Sequence, residues 1–178
     1  SVSEKTQPHN GMNHSCRATI IVPTYNRCSE LCALLDSLQV DTLAIRNVEV
    51  IVIDDHSSDK TVDVVRTRYP AVKLLCNEGN RGPAFARNIA AREAKGRLLI
   101  FLDSDGVVKE GWLEQMLEND NPGTVLLGCT MDYEGGRVQS MPRRATFIGK
   151  SMLCQPNRAN TGPSSNMGVP RECFKAIQ

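Results

Sequence analysis

Two aspartates one residue apart, Asp103 and Asp105, follow directly on the apolar run "LLIFL" and precede Gly106. In an extended chain, residues i and i+2 point the same way. Both carboxylates can then approach one hard cation such as Mg2+ or Mn2+, which prefers oxygen ligands and keeps water and phosphate in its other positions. Taken alone, the same residues read more readily as turn punctuation after a strand. Three more polar clusters stand in the same relation to an apolar run. "PTYNR" (23–27) carries Tyr25, whose ring can lie on a nucleobase, and Arg27, which can meet a phosphate. "DDHSS" (54–58) carries Asp54 and Asp55, able to accept from a ligand N–H or to build an Asx turn before a helix. His56 reads there as a partly exposed turn residue. "NRGPAFARN" (80–88) carries Gly82, where backbone can approach a ligand, a helix start that favours an anion, and Arg87 in the second turn. For Arg81, Arg87 and Arg92 the competing reading is a solvated basic face.

The elements that must position these residues alternate regularly. "ATIIVP" (18–23), "VEVIVI" (48–53), "AVKLLC" (71–76), "RLLIFL" (97–102) and "TVLLGC" (124–129) are short apolar runs that predict strands. Leu31, Leu34, Leu35 and Leu38 fall at i, i+3, i+4 and i+7 of a helix that Ser29 can cap. Ser58 can cap a second helix with Val62, Val65 and Tyr69 on its apolar side. Gly82-Pro83 opens an alanine-rich helix that ends at Gly96, and Trp112, Leu113, Met116 and Leu117 mark another. Alternation of this kind predicts an α/β fold, a mostly parallel sheet covered on both faces by helices. Ligands of such sheets sit outside the carboxyl ends of the strands, where all four polar clusters fall. From about residue 131 the pattern fades into segments that read as long and irregular.

Composition bounds the function. The 178 residues suit one domain, and 40% hydrophobic with 23% charged residues is ordinary for a globular protein. A net charge of +1 supplies no broad attraction for nucleic acid, and aromatics at 4% argue against base-stacking platforms. No apolar run approaches the roughly 20 residues that span a bilayer. Residues 1–17, polar throughout and holding His9 and His14, read as a flexible arm rather than a signal peptide. Seven scattered cysteines without a CxxC pair read as reduced, structural thiols in a reducing compartment, hence a cytoplasmic location, peripheral at a membrane in a longer protein. No G-x-G-x-x-G follows the first strand, which disfavours a dinucleotide domain.

Together, "TIIVPTYNR", "VIVIDDHSSDKT", "NRGPAFARNIAAREAKGRLLIFLDSD" and, more loosely, "SSNMGVPRECF" resemble glycosyltransferase family 2, over roughly residues 18–176. The resemblance implies a GT-A fold, a Rossmann-like three-layer sandwich, and a nucleotide-sugar donor, usually UDP-linked. It implies that Pro23, Thr24, Tyr25 and Arg27 line the nucleotide pocket, that Asp55 reads the base, and that Gly82 and Arg87 lie near the diphosphate or sugar. It further implies that Asp103, Ser104 and Asp105 form a DxD element, with Asp103 by the ribose and donor sugar and both aspartates offered to Mn2+ or Mg2+. A metal-dependent, inverting transfer to a carbohydrate, lipid or other hydroxyl acceptor follows from the family pattern, as does a carboxylate base in an acidic motif beyond Gln178. Asp132 and Glu134 are the acidic residues of the late segment. A domain over 18–178 that lacks its acceptor and base region is therefore expected. The alternative is a truncated homologue that binds nucleotide-sugar without transferring it.

Overall fold

The computed structural model describes residues 15–127 and 166–176, together with the backbone of strands at 132–134, 137–140 and 152–153. Backbone pairing reaches back to Cys16 and Arg17, whose carbonyls accept from Arg97 and Leu98 at 3.1 Å. The remainder of the polar arm, with His9 and His14, lies outside the described residues.

Strands β1 (Ala18–Thr24), β2 (Val48–Asp54), β3 (Lys73–Cys76) and β4 (Leu98–Phe101) form the parallel part of a seven-stranded sheet, in the order β3-β2-β1-β4. In β1 the side chains alternate between two cores. Ile20 and Val22 join one with Leu31, Leu34 and Leu35 of α1 (Cys28–Leu38), and Ile21 joins the other with Ala86, Ala90 and Ala91 of α4 (Pro83–Glu93). Period-2 strands between period-3.6 helices make three layers. The first core also takes α2 (Val40–Leu43), Val65 of α3 (Thr61–Arg68) and all four apolar residues of α5 (Trp112–Glu118). Each leucine buried from α1 contributes roughly 1.5–3 kcal/mol. Leu74 and Leu75 are only half-buried because β3 is the sheet edge.

The parallel pattern breaks in the last third, where the sequence predicts irregular chain. A hairpin of β6 (Asp132–Glu134) and β7 (Arg137–Ser140) stands apart from the main sheet. Strand β9 (Met167–Pro170) inserts antiparallel between β4 and β5 (Thr124–Leu127), and β8 (Met152–Leu153) pairs with the far side of β5. Strand β9 is four residues long, includes a glycine and ends on proline, so nothing local announces it. Its strand character comes from partners about seventy residues away in β4 and about forty away in β5. A short helix, α6 (Arg171–Ala176), follows and sets Phe174 against Phe101.

Both expected serine caps are absent. Ser29 lies inside α1, where the N–H of Cys28 is satisfied at 3.3 Å by Asp59 Oδ2 instead. Helix α3 starts after Lys60, its first N–H bonded to Asp59 Oδ1 at 2.9 Å, while Ser58 is engaged elsewhere. One carboxylate thus serves two helix starts, a cross-connection that no local pattern carries.

Gly96 does not end α4, which stops at Glu93. It instead lets the turn into β4 cross β1: a Cβ there would lie 2.3 Å from backbone atoms of Ala18 and Thr19. Its N–H donates to Thr19 Oγ1 at 2.8 Å. Gly96→Ala should therefore cost about 2 kcal/mol or more, through forced backbone displacement. That corresponds to a thermal midpoint lowered by about 4–8 °C. An unchanged midpoint in a calorimetric scan would mean that the crossing relaxes freely.

Candidate functional site

The carboxyl ends of β1, β2 and β4 and the start of α4 meet around a cavity of about 490 Å³. Its walls are Pro23, Thr24, Tyr25, Arg27, Asp55, Gly82, Arg87, Asp103, Ser104 and Asp105, with Asn80 and Pro83 added. Every donor-site and metal residue expected from the sequence is in this one wall. The volume falls within the range of small-molecule sites, about 300–1,000 Å³.

Two side-chain clasps shape it. Asn26 adopts the left-handed region at φ 50°, and its Oδ1 accepts from the N–H of Ser58 at 2.8 Å and of Asp59 at 3.3 Å. Its own N–H donates to Ser57 Oγ at 2.8 Å. The chain segment bearing Tyr25 and Arg27 is thereby tied to the loop after β2. Asn tolerates this conformation better than most residues, and its short amide can reach the facing loop.

Asp55 forms the second clasp. It is buried, and its carboxylate accepts from Asn77 Nδ2 at 2.8 Å, from the Arg81 N–H at 3.1 Å and from the Gly82 N–H at 2.7 Å. Burial works to raise its pKa, but these hydrogen bonds outweigh burial and hold the carboxyl below its ordinary value. The lone pairs expected to meet a base are thus occupied by the loop over residues 77–82. Gly82 stands at φ 88°, ψ 159°, a region essentially reserved for glycine. It turns the chain into α4, so that the helix start and Asn80 face the cavity.

The two aspartates after β4 are not on an extended strand. The strand ends at Phe101, and Ser104 and Asp105 lie in a turn, so the i, i+2 argument does not describe them. The turn reading and the site reading are both true of the same residues. Each carboxylate is paired across the cavity with a different element. Arg27 Nη1 donates to Asp105 Oδ2 at 3.1 Å, and Arg87 Nη2 donates to Asp103 Oδ1. The Arg27–Asp105 pair is about half exposed, whereas the Arg87 side chain is 14% exposed. Among the described residues, Thr24 Oγ1 and Arg87 Nε are buried without a hydrogen-bond partner. Both residues belong to this wall, and each of these atoms keeps hydrogen-bonding capacity that the fold leaves unused. Two arginines against three aspartates leave the cavity one negative charge.

Asn80 is not among the site residues expected from sequence, and Pro83 is expected there only as the opener of a helix. The signal for Asn80 is its place in "NEGNRG" three residues before the helix, legible only once Asp55 is seen to hold that loop. Asp132 and Glu134 fall on β6, and their side chains lie outside the described residues, as do residues 177 and 178. No helix among the described residues is long and apolar enough to cross a membrane.

Comparison with known proteins agrees with this architecture. The family model "Glycosyl transferase family 2" matches residues 19–176. An uncharacterized glycosyltransferase of Haemophilus influenzae is 33% identical over 165 residues, covering 89% of this chain and 54% of its own length. A mannosyltransferase of Pyrobaculum calidifontis, solved in complex with GDP-Man and Mn2+, superposes with a TM-score of 0.58 at 29% identity. That match covers 65% of this chain and 36% of the other. S. aureus TarS 1-349 in complex with UDP superposes with a TM-score of 0.59 at 30% identity, over 71% of this chain and 38% of that one. The chain spans about half the length of the curated relatives it matches first. The three-layer sheet is the GT-A fold, and the chain belongs to glycosyl transferase family 2.

Proposed function

We propose that the cavity at the carboxyl edge of the sheet binds a nucleoside-diphosphate sugar, UDP-linked, and that the chain is the donor-binding part of a metal-dependent, inverting glycosyltransferase. The observation that carries this reading is the convergence of four separate loops on one cavity. That cavity offers an exposed ring in Tyr25, two guanidinium groups in Arg27 and Arg87, a helix start, and two carboxylates. An aromatic face suits a base, guanidinium forks and a helix start suit a diphosphate, and carboxylates suit a divalent cation.

The residues fit Mn2+ or Mg2+. Asp103 and Asp105 supply hard oxygen donors at the cavity wall, and the wall carries one uncompensated negative charge. When bound, such a cation stabilises the charge that gathers on the departing diphosphate. The chain's own residues do the remainder. Tyr25, Pro23 and Thr24 line the nucleotide side, with the Thr24 hydroxyl unpartnered among the described residues. Asp55 and Gly82 hold the loop over 77–82 and so place Asn80 and the start of α4. Arg87 and Arg27 bring positive charge to the phosphates, where it opposes the charge developing on the leaving group. No covalent nucleophile on the protein is required. Deprotonation of the acceptor hydroxyl belongs to a carboxylate base that the described residues do not identify.

Calorimetry with UDP and GDP, each with and without Mn2+, tests the reading. The expected result is saturable binding of UDP that strengthens with Mn2+ and exceeds that of GDP. Tighter GDP binding would reassign the base, and no binding of either nucleotide would remove the donor site altogether.

A further inference from the structure

The two aspartates already have partners. Each is bonded to an arginine from a different element, Arg27 just before α1 and Arg87 in the second turn of α4. A cation arriving alone meets carboxylates that are hydrogen-bonded to guanidinium groups, and it meets the positive charge of those groups. A diphosphate arriving alone meets arginines that are engaged and carboxylates that repel it. We propose that Arg27 and Arg87 serve as built-in counter-ions of Asp105 and Asp103, so that divalent cation and nucleoside diphosphate are admitted together and each is largely refused alone.

The exchange conserves pairing. Guanidinium recognises phosphate and carboxylate oxygens with the same planar fork, so each arginine can pass from one to the other without losing its charge-assisted bonds. The carboxylates released go to the cation. With either ligand missing, one set of charges is stranded in the cavity. The two pairs differ in stiffness. The Arg27–Asp105 pair is half exposed and opens easily, since exposed ion pairs are weak. Arg87 is mostly buried, and its Nε is buried without a partner, so that guanidinium keeps one donor unused while it holds Asp103. The larger share of the coupling therefore resides at Arg87–Asp103. This inference rests on the reading of the cavity as a nucleoside-diphosphate site.

Titrations of the wild-type protein and of Arg27→Ala and Arg87→Gln test it. Mn2+ binding is followed by the loss of the free-ion paramagnetic signal, with and without UDP, and UDP binding by calorimetry, with and without Mn2+. In the wild type, each ligand should tighten the other by about tenfold or more. The arginine variants should bind Mn2+ alone several-fold more tightly than the wild type, and UDP with Mn2+ more weakly. A merely structural arginine would not produce such opposite signs. Arginine variants that bind Mn2+ alone no better than the wild type, while the wild type binds UDP with Mn2+, would overturn the counter-ion role and leave the donor site standing. A wild type that binds UDP neither alone nor with Mn2+ overturns the donor site itself. If Arg87→Gln does not fold, the half-exposed Arg27→Ala decides alone.

Discussion

Asp55→Ala should lose about 3 kcal/mol of folding stability and most of its nucleotide binding. The carboxylate is buried and accepts four hydrogen-bond contacts from three donors, two of which are backbone N–H groups that α4 cannot satisfy within the helix. Removing it strands those donors, at about 1–3 kcal/mol for each one left unsatisfied. The loop over 77–82 then has nothing to hold it against β2, and Asn80, Gly82 and Pro83 leave the cavity wall. Asp55→Asn preserves shape but turns an N–H donor toward other donors, so it should cost about 2 kcal/mol. Urea unfolding and UDP calorimetry on the three proteins measure both effects. A variant that unfolds earlier yet keeps full UDP affinity would show that the loop is held by something else.

The same carboxylate sets an expected response to acid. Its folded pKa is lowered, so its stabilising effect is fully present above the unfolded value of about 3.9. That effect is lost as pH falls through the lower folded value. Below about pH 4 the wild type should therefore lose stability faster than Asp55→Asn, whose side chain does not titrate. Parallel stability curves for the two proteins from pH 6 to pH 3 would contradict this assignment.

Asp105→Ala should weaken UDP binding by about 100-fold in the presence of Mn2+, about 2.7 kcal/mol. Two effects add in that figure. The cation loses one of the two hard oxygen donors at the wall, and the attraction between cation and diphosphate is no longer anchored to the protein. In the absence of metal the sign should differ. Arg27, released from Asp105, becomes free for phosphate, and a repelling charge is gone. UDP alone should then bind as well as to the wild type, or slightly better. Stability should hardly change, because the pair is exposed and exposed pairs contribute about 0–1 kcal/mol. An equal loss of affinity with and without Mn2+ would place Asp105 on the nucleotide instead of the metal.

Much of this site was legible before any coordinate. Apolar runs of five or six residues dictated the strands, since only burial on both faces accounts for them. Each run's polar sequel then had to lie near the carboxyl edge of one sheet. That is why Tyr25, Arg27, Asp55, Gly82, Arg87, Asp103 and Asp105 could be named together, and why they line one cavity. The leucine stripe of α1 and the apolar face of α5 were visible for the same reason, because helical period and burial are both properties of a local window.

What the tertiary structure decided is everything that depends on contact between distant segments. Strand β9 forms by pairing with β4 on one side and β5 on the other, and its own four residues carry no strand signal. Asp59 caps two helices and displaces the expected serines because folding brings both starts beside it. The aspartates after β4 close a turn and at the same time face two arginines, a combination that spacing alone could not distinguish from punctuation. Asp55 points inward to a loop that lies more than twenty residues away, so its hydrogen-bonding capacity is already engaged. Sequence determines which groups can do chemistry and on which edge they stand. Which group neutralises which charge is settled only when the chain folds, because electrostatic pairing depends on distance in space and not along the chain.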